Sequence, residues 1–306
     1  METTPILNNG GKAVPDGVED GGRTYHTYKA GTYLMPNDTE EQDRLDLQHK
    51  MTGLIFRGRL SLVPFPKPPA NVLDVATGSG IWAIEFAEQH PSSRVTAIDI
   101  GNIYPSRPPP ANCTFISCID AEDPWTFLPP RGTLDYIHLR YVTTCFNSPP
   151  AVIRQAFDHL APGGWIEFQD SDLSLRCEND SLAGTALERW SRVSVEGARN
   201  VGRDILVTRR YKDWLVEAGF VDVHEEEVNR PSMPVSAWPE TQEHRAIGAM
   251  ARVTIGNGIA GAGKYGRLAG LSGDEVRRLT ERVMEDLGNP EIRAYYAVYC
   301  VYGRKP

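Results

Sequence analysis

The segment Val72-Leu73-Asp74-Val75-Ala76-Thr77-Gly78-Ser79-Gly80-Ile81-Trp82 joins a short apolar run, a turn of small residues and the start of a helical pattern. Gly78 and Gly80 carry no Cβ, so the backbone can turn sharply and a ligand can come close. The helix that follows directs free N–H groups toward the same place. In an open α/β sheet this crevice, at the carboxyl ends of the strands, is where ligands sit. Gly78-Ser79-Gly80-Ile81-Trp82-Ala83 also satisfies G-x-G-x-x-A, a dinucleotide fingerprint. Asp99, 19 residues past Gly80, is placed to accept from ribose hydroxyls.

Three features narrow the ligand. Asp74 lies four residues before Gly78. A carboxylate there repels a pyrophosphate but suits the ammonium end of a zwitterion. Asp120-Ala121-Glu122-Asp123 follows the third strand, where a carboxylate can accept from an adenine amino group. The last strands read as a reversed hairpin rather than a second nucleotide-binding half. Together these favour S-adenosyl-L-methionine over a nicotinamide or flavin dinucleotide.

Two other patterns fall away. Gly258–Lys264 followed by Tyr265 nearly spells a phosphate-binding G-x-x-x-x-G-K-[ST] loop, but Tyr265 stands at the hydroxyl position and no strand precedes it. The glycine-rich stretch Gly256–Gly266 is therefore read as a flexible loop and a candidate lid. The seven histidines show no metal-ligand spacing, so no metal is expected.

Stepping outward, residues 38–57 read as a helix capped by Asn37 or Asp38, with Leu47, Met51, Leu54 and Ile55 on one stripe. Pro64, Pro66, Pro68 and Pro69 form a stiff linker. Strands are expected at Asn71–Ala76, Arg94–Ile100, Cys113–Cys118, Leu134–Leu139, Trp165–Gln169, Val221–Val228 and Tyr295–Tyr302. Helices fall between them: Ile81–His90, one opened by Ser148 and Pro149, and one through Tyr211, Trp214, Leu215 and Ala218. This alternation predicts an α/β fold: a seven-stranded, mainly parallel, Rossmann-like sheet with helices on both faces. The chain divides into a tail over 1–24, an N-terminal helical cap over 25–64, a binding core over 65–230 plus 291–306, and an insert over 231–290. The insert holds a helix at Ser272–Leu287, opened by a Ser272/Glu275 capping box.

The 306 residues are 41% apolar and 24% charged, enough for a sizeable core. Net charge is −8, from 32 Lys+Arg against 40 Asp+Glu, which argues against a nucleic-acid partner. No run of about 18 apolar residues exists, so no membrane association is expected. Five scattered cysteines without a C-x-x-C pair, and no secretory signal pattern, point to the cytoplasm, with the nucleus as the alternative. Whether the chain forms a homodimer is left open.

The segments VLDVATGSGIWAIEFAEQHPSSRVTAIDI, DAEDPW, LDYIHLR and HLAPGGWIEFQD resemble class I S-adenosylmethionine-dependent methyltransferases. More narrowly, Tyr33–His49 and the closing Tyr302–Pro306 are similar to the fungal LaeA-like group found around secondary-metabolite biosynthesis. The resemblance covers roughly 25–230 and the last strand, and is weak over 231–290. Ala76 stands where the family turn usually has its first glycine. The resemblance implies that Asp74, Ala76 and Gly78 line the methionine end, that Gly80 also belongs to the cofactor site, that Asp99 holds the ribose and that Ile100 lies against the adenine. It implies that Asp120 and Ala121 read the adenine, that Leu139 and Arg140 border the methyl group, and that Tyr25, Tyr28 or Tyr33 closes over the cofactor.

It also implies methyl transfer to a small-molecule acceptor. A general base is needed only where the acceptor keeps its proton. His138 and His49 are the catalytic candidates, Asp170 and Asp172 weaker ones. Arg140 is expected either to meet an acidic acceptor or to pair with Glu167 or Asp170. Trp82, Trp125 and Trp165 are expected in the core or cofactor wall. A regulatory, protein-directed methyltransferase and a sulfonium-assisted rearrangement are the alternatives. Asp99→Ala is expected to abolish measurable S-adenosylmethionine binding with the fold intact; calorimetric titration showing unchanged affinity would refute the ribose assignment.

Overall fold

Seven apolar runs form strands, and their alternation with helices leaves both faces of the sheet to be covered. In the computed structural model, which describes residues 17–128 and 130–306, they pair as expected. The strands are β1 (Asn71–Val75), β2 (Arg94–Ile98), β3 (Cys113–Ile116), β4 (Leu134–Arg140), β5 (Leu160–Cys177), β6 (Val221–Glu227) and β7 (Ala294–Arg304). Their order is β3-β2-β1-β4-β5-β7-β6. The first five run parallel, and β7 lies antiparallel between β5 and β6. An eighth, two-residue strand, Met233–Pro234, pairs antiparallel with Tyr295–Tyr296 and was not foreseen. Strand order reverses at β1, so the crevice opens beyond its carboxyl end.

The two faces carry separate cores. On one, Leu73, Ile98, Ile137 and Phe168 meet α3 (Pro149–His159) and α5 (Tyr211–Glu217) through Ile153, Trp214 and Leu215. On the other, Val72, Ala97 and Tyr136 meet α2 (Ile81–Gln89) through Trp82, Ala83 and Phe86. At about 1.5–3 kcal/mol for each large side chain removed from water, this burial favours the sheet over the open chain.

A third core joins the regions expected to be cap and insert. It packs α1 (Thr39–Ile55) along α6 (Gln242–Gly261), with α4 (Ala186–Arg199) and α8 (Gly273–Gly288), against the outer part of β7. Asp38, not Asn37, caps α1, and the capping box on α8 is present.

Several expectations need correction. Residues 1–16 of the expected tail lie outside the described residues, and Val18–Asp20 pairs with Arg23–Tyr25 in a hairpin where more tail was expected. Helix α4 was not foreseen. Strand β5 continues well beyond Gln169, because β7 pairs with it as far as Cys177. The supposed loop Gly256–Gly266 is helical, divided between α6 and α7 (Gly263–Leu268). Its glycines belong to a packing pattern: a Cβ on Gly256 would press on Met284, and one on Gly266 on Val276.

The same constraint is tightest at Gly197 of α4, where a Cβ would overlap the Tyr265 carbonyl oxygen of α7. Alanine favours an exposed helix by about 1 kcal/mol over glycine, but here overlap with backbone outweighs it. Gly197→Ala is expected to destabilise the protein by about 1–3 kcal/mol, read as a lower midpoint in chemical denaturation. A raised midpoint would contradict the close approach.

Candidate functional site

The turn after β1 is built from left-handed residues. Ala76, Gly78 and Gly80 have φ of 56°, 60° and 78°. Two are the glycines expected there, whereas Ala76 holds a conformation that costs a Cβ-bearing residue about 1 kcal/mol. A Cβ on Gly80 would strike the Phe115 ring 2.7 Å away, so this glycine serves packing at the head of α2. A Cβ on Gly78 would lie 3.0 Å from Leu45, where α1 crosses the turn.

Beyond this turn lies a cavity of about 300 Å³, walled by the sheet ends, α1, α4 and α6. Tyr33, Asp74, Ala76, Gly78, Asp99 and Ile100 line it. So do Asp120, Ala121, Arg140, His138 and His49. Two candidates do not. Gly80 lies behind the turn, and Leu139 is fully buried in the core of the opposite face. Strand alternation gives the reason: His138 and Arg140 share one face of β4 and Leu139 takes the other.

Four side chains interlock at the cavity floor. Asp74 and His138 are register partners on β1 and β4, and Asp74 Oδ1 lies 2.7 Å from His138 Nδ1. The second Asp74 oxygen accepts from the Thr77 hydroxyl. The His138 ring stacks on Trp82 at 3.6 Å and 4°. Trp82 in turn donates its indole N–H to the Leu60 carbonyl, 3.0 Å away. His138 is fully buried, and among the described residues its Nε2 has no hydrogen-bond partner.

Arg140 and His49 form a second group. Arg140 donates to His49 Nδ1 at 2.8 Å, and His49 Nε2 meets Glu85 at 2.9 Å. Burial, then the neighbouring guanidinium, pushes the His49 imidazole down to about 4. Arg140 thus pairs with neither Glu167 nor Asp170. Glu167 accepts from Ser61, Leu62 N–H and Tyr136, and Asp170 from Val142 N–H and Tyr211. Burial pushes Asp170 up to about 7 against those donors. Asp172 is held by Arg209 at 2.6 Å. Among the described residues no carboxylate forms an ion pair with Arg140, and burial lowers its pKa.

At the far end, Asp99 accepts from Gly78 N–H (2.9 Å) and Gly101 N–H (2.8 Å). Burial nevertheless raises its carboxyl to about 6. Asp120 is partly occupied: Lys29 Nζ bridges it and Asp123 at 2.7 Å each, tying the N-terminal segment over this end. The sequence pattern did not reveal Lys29, or the contribution of α4.

The family model for a methyltransferase domain matches residues 47–225. The chain belongs to this methyltransferase family. Its relatives are fungal. It is 32% identical to the secondary metabolism regulator laeA of Aspergillus flavus, over 94% of this chain and 77% of that one. It is 32% identical to the methyltransferase pytC of Aspergillus terreus, over 93% and 87%. It is also 32% identical to the protein-methionine methyltransferase laeA of Emericella nidulans, over 94% and 76%.

This methyltransferase uses S-adenosyl-L-methionine. The donor set fits that group: a glycine turn closed by Leu45, a carboxylate already oriented by two amides for a diol, and a buried cation for a carboxylate. Among the described residues no cluster of three or more His, Cys, Asp or Glu could hold a metal, and no helix is long and apolar enough to cross a membrane. The cysteines are free thiols, and burial pushes those of Cys113, Cys118, Cys145 and Cys300 upward.

A diol donates best to an ionised Asp99. Affinity for S-adenosylmethionine is therefore expected to be flat above the Asp99 pKa of about 6 and to fall as pH drops below it. Calorimetric titrations from pH 7.5 to about 5 would read this, at up to about tenfold per unit if that proton alone competes. Flat affinity throughout would count against Asp99 as the diol acceptor.

Proposed function

We propose that this methyltransferase modifies a hydroxyl oxygen of a small molecule in secondary-metabolite biosynthesis, with His138 as general base. The observation carrying this reading is the unpartnered Nε2 of a fully buried histidine on the cavity wall, its other nitrogen held by Asp74. When bound, S-adenosylmethionine supplies an electrophilic methyl group on a sulfonium.

The remaining work falls to the chain. Asp99 would take the ribose hydroxyls, Ile100 and Ala121 would flank the adenine, and Asp120 would share itself between the adenine amino group and Lys29. The Arg140 guanidinium would hold the methionine carboxylate beside the Ala76–Gly78 turn, whose Thr77 and Gly78 N–H groups already donate to Ile98 and Asp99. Asp74 has both oxygens engaged by His138 and Thr77, which makes it the orienter of the base more than a partner for the ammonium.

A carboxylate at Nδ1 requires the proton there, and so leaves the Nε2 lone pair free. The Trp82 face fixes the ring plane. As the acceptor oxygen gains the methyl carbon, its proton passes to Nε2, while the electrons of the broken S–C bond stay on sulfur. His49 cannot serve, because both its nitrogens are taken. Alignment of the acceptor with the methyl group supplies the rest of the acceleration.

The laeA relatives, a secondary metabolism regulator and a protein-methionine methyltransferase, support a second reading, a regulatory enzyme acting on protein. The uncharged cavity half lined by α4, α6 and α7 favours the small molecule.

His138→Gln is expected to lower kcat for a hydroxyl acceptor by about 10²–10⁴-fold, with S-adenosylmethionine affinity little changed. Asp74→Asn is expected to lower kcat through the wrong tautomer. Release of S-adenosylhomocysteine measures both, and full turnover by the glutamine variant would remove His138 from the chemistry.

A further inference from the structure

The cavity extends past the cofactor-facing residues into a half built by the insert. Trp190 and Ser194 of α4, Thr254 and Ile255 of α6, Tyr265 of α7 and Tyr296 of β7 wall it. None of the lining residues from these four elements is charged. Across from them, the buried Glu41 and Arg44 of α1 satisfy each other through two hydrogen bonds of 2.7 and 2.8 Å. Burial raises the Tyr296 phenol, which stays neutral. The wall is therefore aromatic and aliphatic, with no unpaired ion to meet an ionised guest.

Three hydroxyls stand out against it. Among the described residues the buried hydroxyls of Thr254, Ser194 and Tyr265 have no hydrogen-bond partner, and Thr254 is only 2% exposed. A buried hydroxyl left unpaired costs about 1–3 kcal/mol, so three on one cavity wall mark where a guest completes the bonding. An ionised carboxylate brought to the same place would lose its hydration with only neutral hydroxyls in return.

We infer that this half binds an uncharged, ring-containing and largely apolar acceptor, oriented by hydrogen bonds to Thr254 and Ser194 and packed on Trp190. The inference rests on the methyl-transfer reading of the same cavity and names the class of substrate it takes. The acceptor arrives neutral, and its proton leaves at His138.

The test is a calorimetric titration of the full chain, first with S-adenosylhomocysteine and then, once saturated, with 2-naphthol or 2-naphthoate. The expected result is 2-naphthol binding at least tenfold more tightly than 2-naphthoate. Thr254→Val keeps the shape of the side chain and is expected to weaken 2-naphthol about tenfold, about 1.4 kcal/mol, while leaving S-adenosylhomocysteine affinity unchanged. Thr254→Ser should restore most of the loss. Equal or tighter binding of 2-naphthoate, no binding of either probe, or indifference to Thr254→Val would overturn the inference. Failure to bind S-adenosylhomocysteine would instead sink the cofactor reading and this inference with it.

Discussion

A carboxylate in the middle of a sheet is the constraint around which this protein is organised. Asp74 is 3% exposed, on a strand with neighbours on both sides. An ionised group in that setting costs several kcal/mol unless its oxygens are paired. Its partners come from the adjoining strand and the following turn. The register that sets His138 beside it also sets the imidazole under Trp82. Trp82 is tied to the Leu60 carbonyl, which also accepts from Gln169 of β5, and Glu167 on that strand anchors Ser61 and Leu62. A single electrostatic requirement thereby fixes the turn, the histidine and the path of the proline-rich linker.

The cofactor end was legible in the sequence because its determinants are local. Alternating strands and helices, the Gly78/Gly80 turn and the carboxylates closing β1 and β2 all act within about one supersecondary unit. The acceptor end was not. Helix α4 does carry an amphipathic pattern, with Leu187, Trp190 and Ala198 on one buried side behind the Thr185 cap, but nothing in that pattern places it at the cavity. The Gly256–Gly266 stretch read as a loop because glycine weakens an isolated helix. In the folded chain the same residues let α6 and α7 approach their neighbours, and tertiary contact outweighs propensity. Leu139 turns its side chain into the core because successive strand residues take opposite faces, so position along β4 alone does not say which residue meets the cavity.

Contacts between distant segments were equally hidden. Arg140 meets His49 across 91 residues, and Lys29 meets Asp120 across the same separation. Neither residue type nor spacing announces such a pair. Both bonds tie the N-terminal segment to the sheet, so the division into cap, core and insert describes the order of the chain better than the cavity, whose walls draw on all three.

Helix α1 carries a consequence of its own. It crosses the glycine turn through Leu45, holds Arg140 through His49 and lies along α6. No door can then swing at one end of the chamber without disturbing the other.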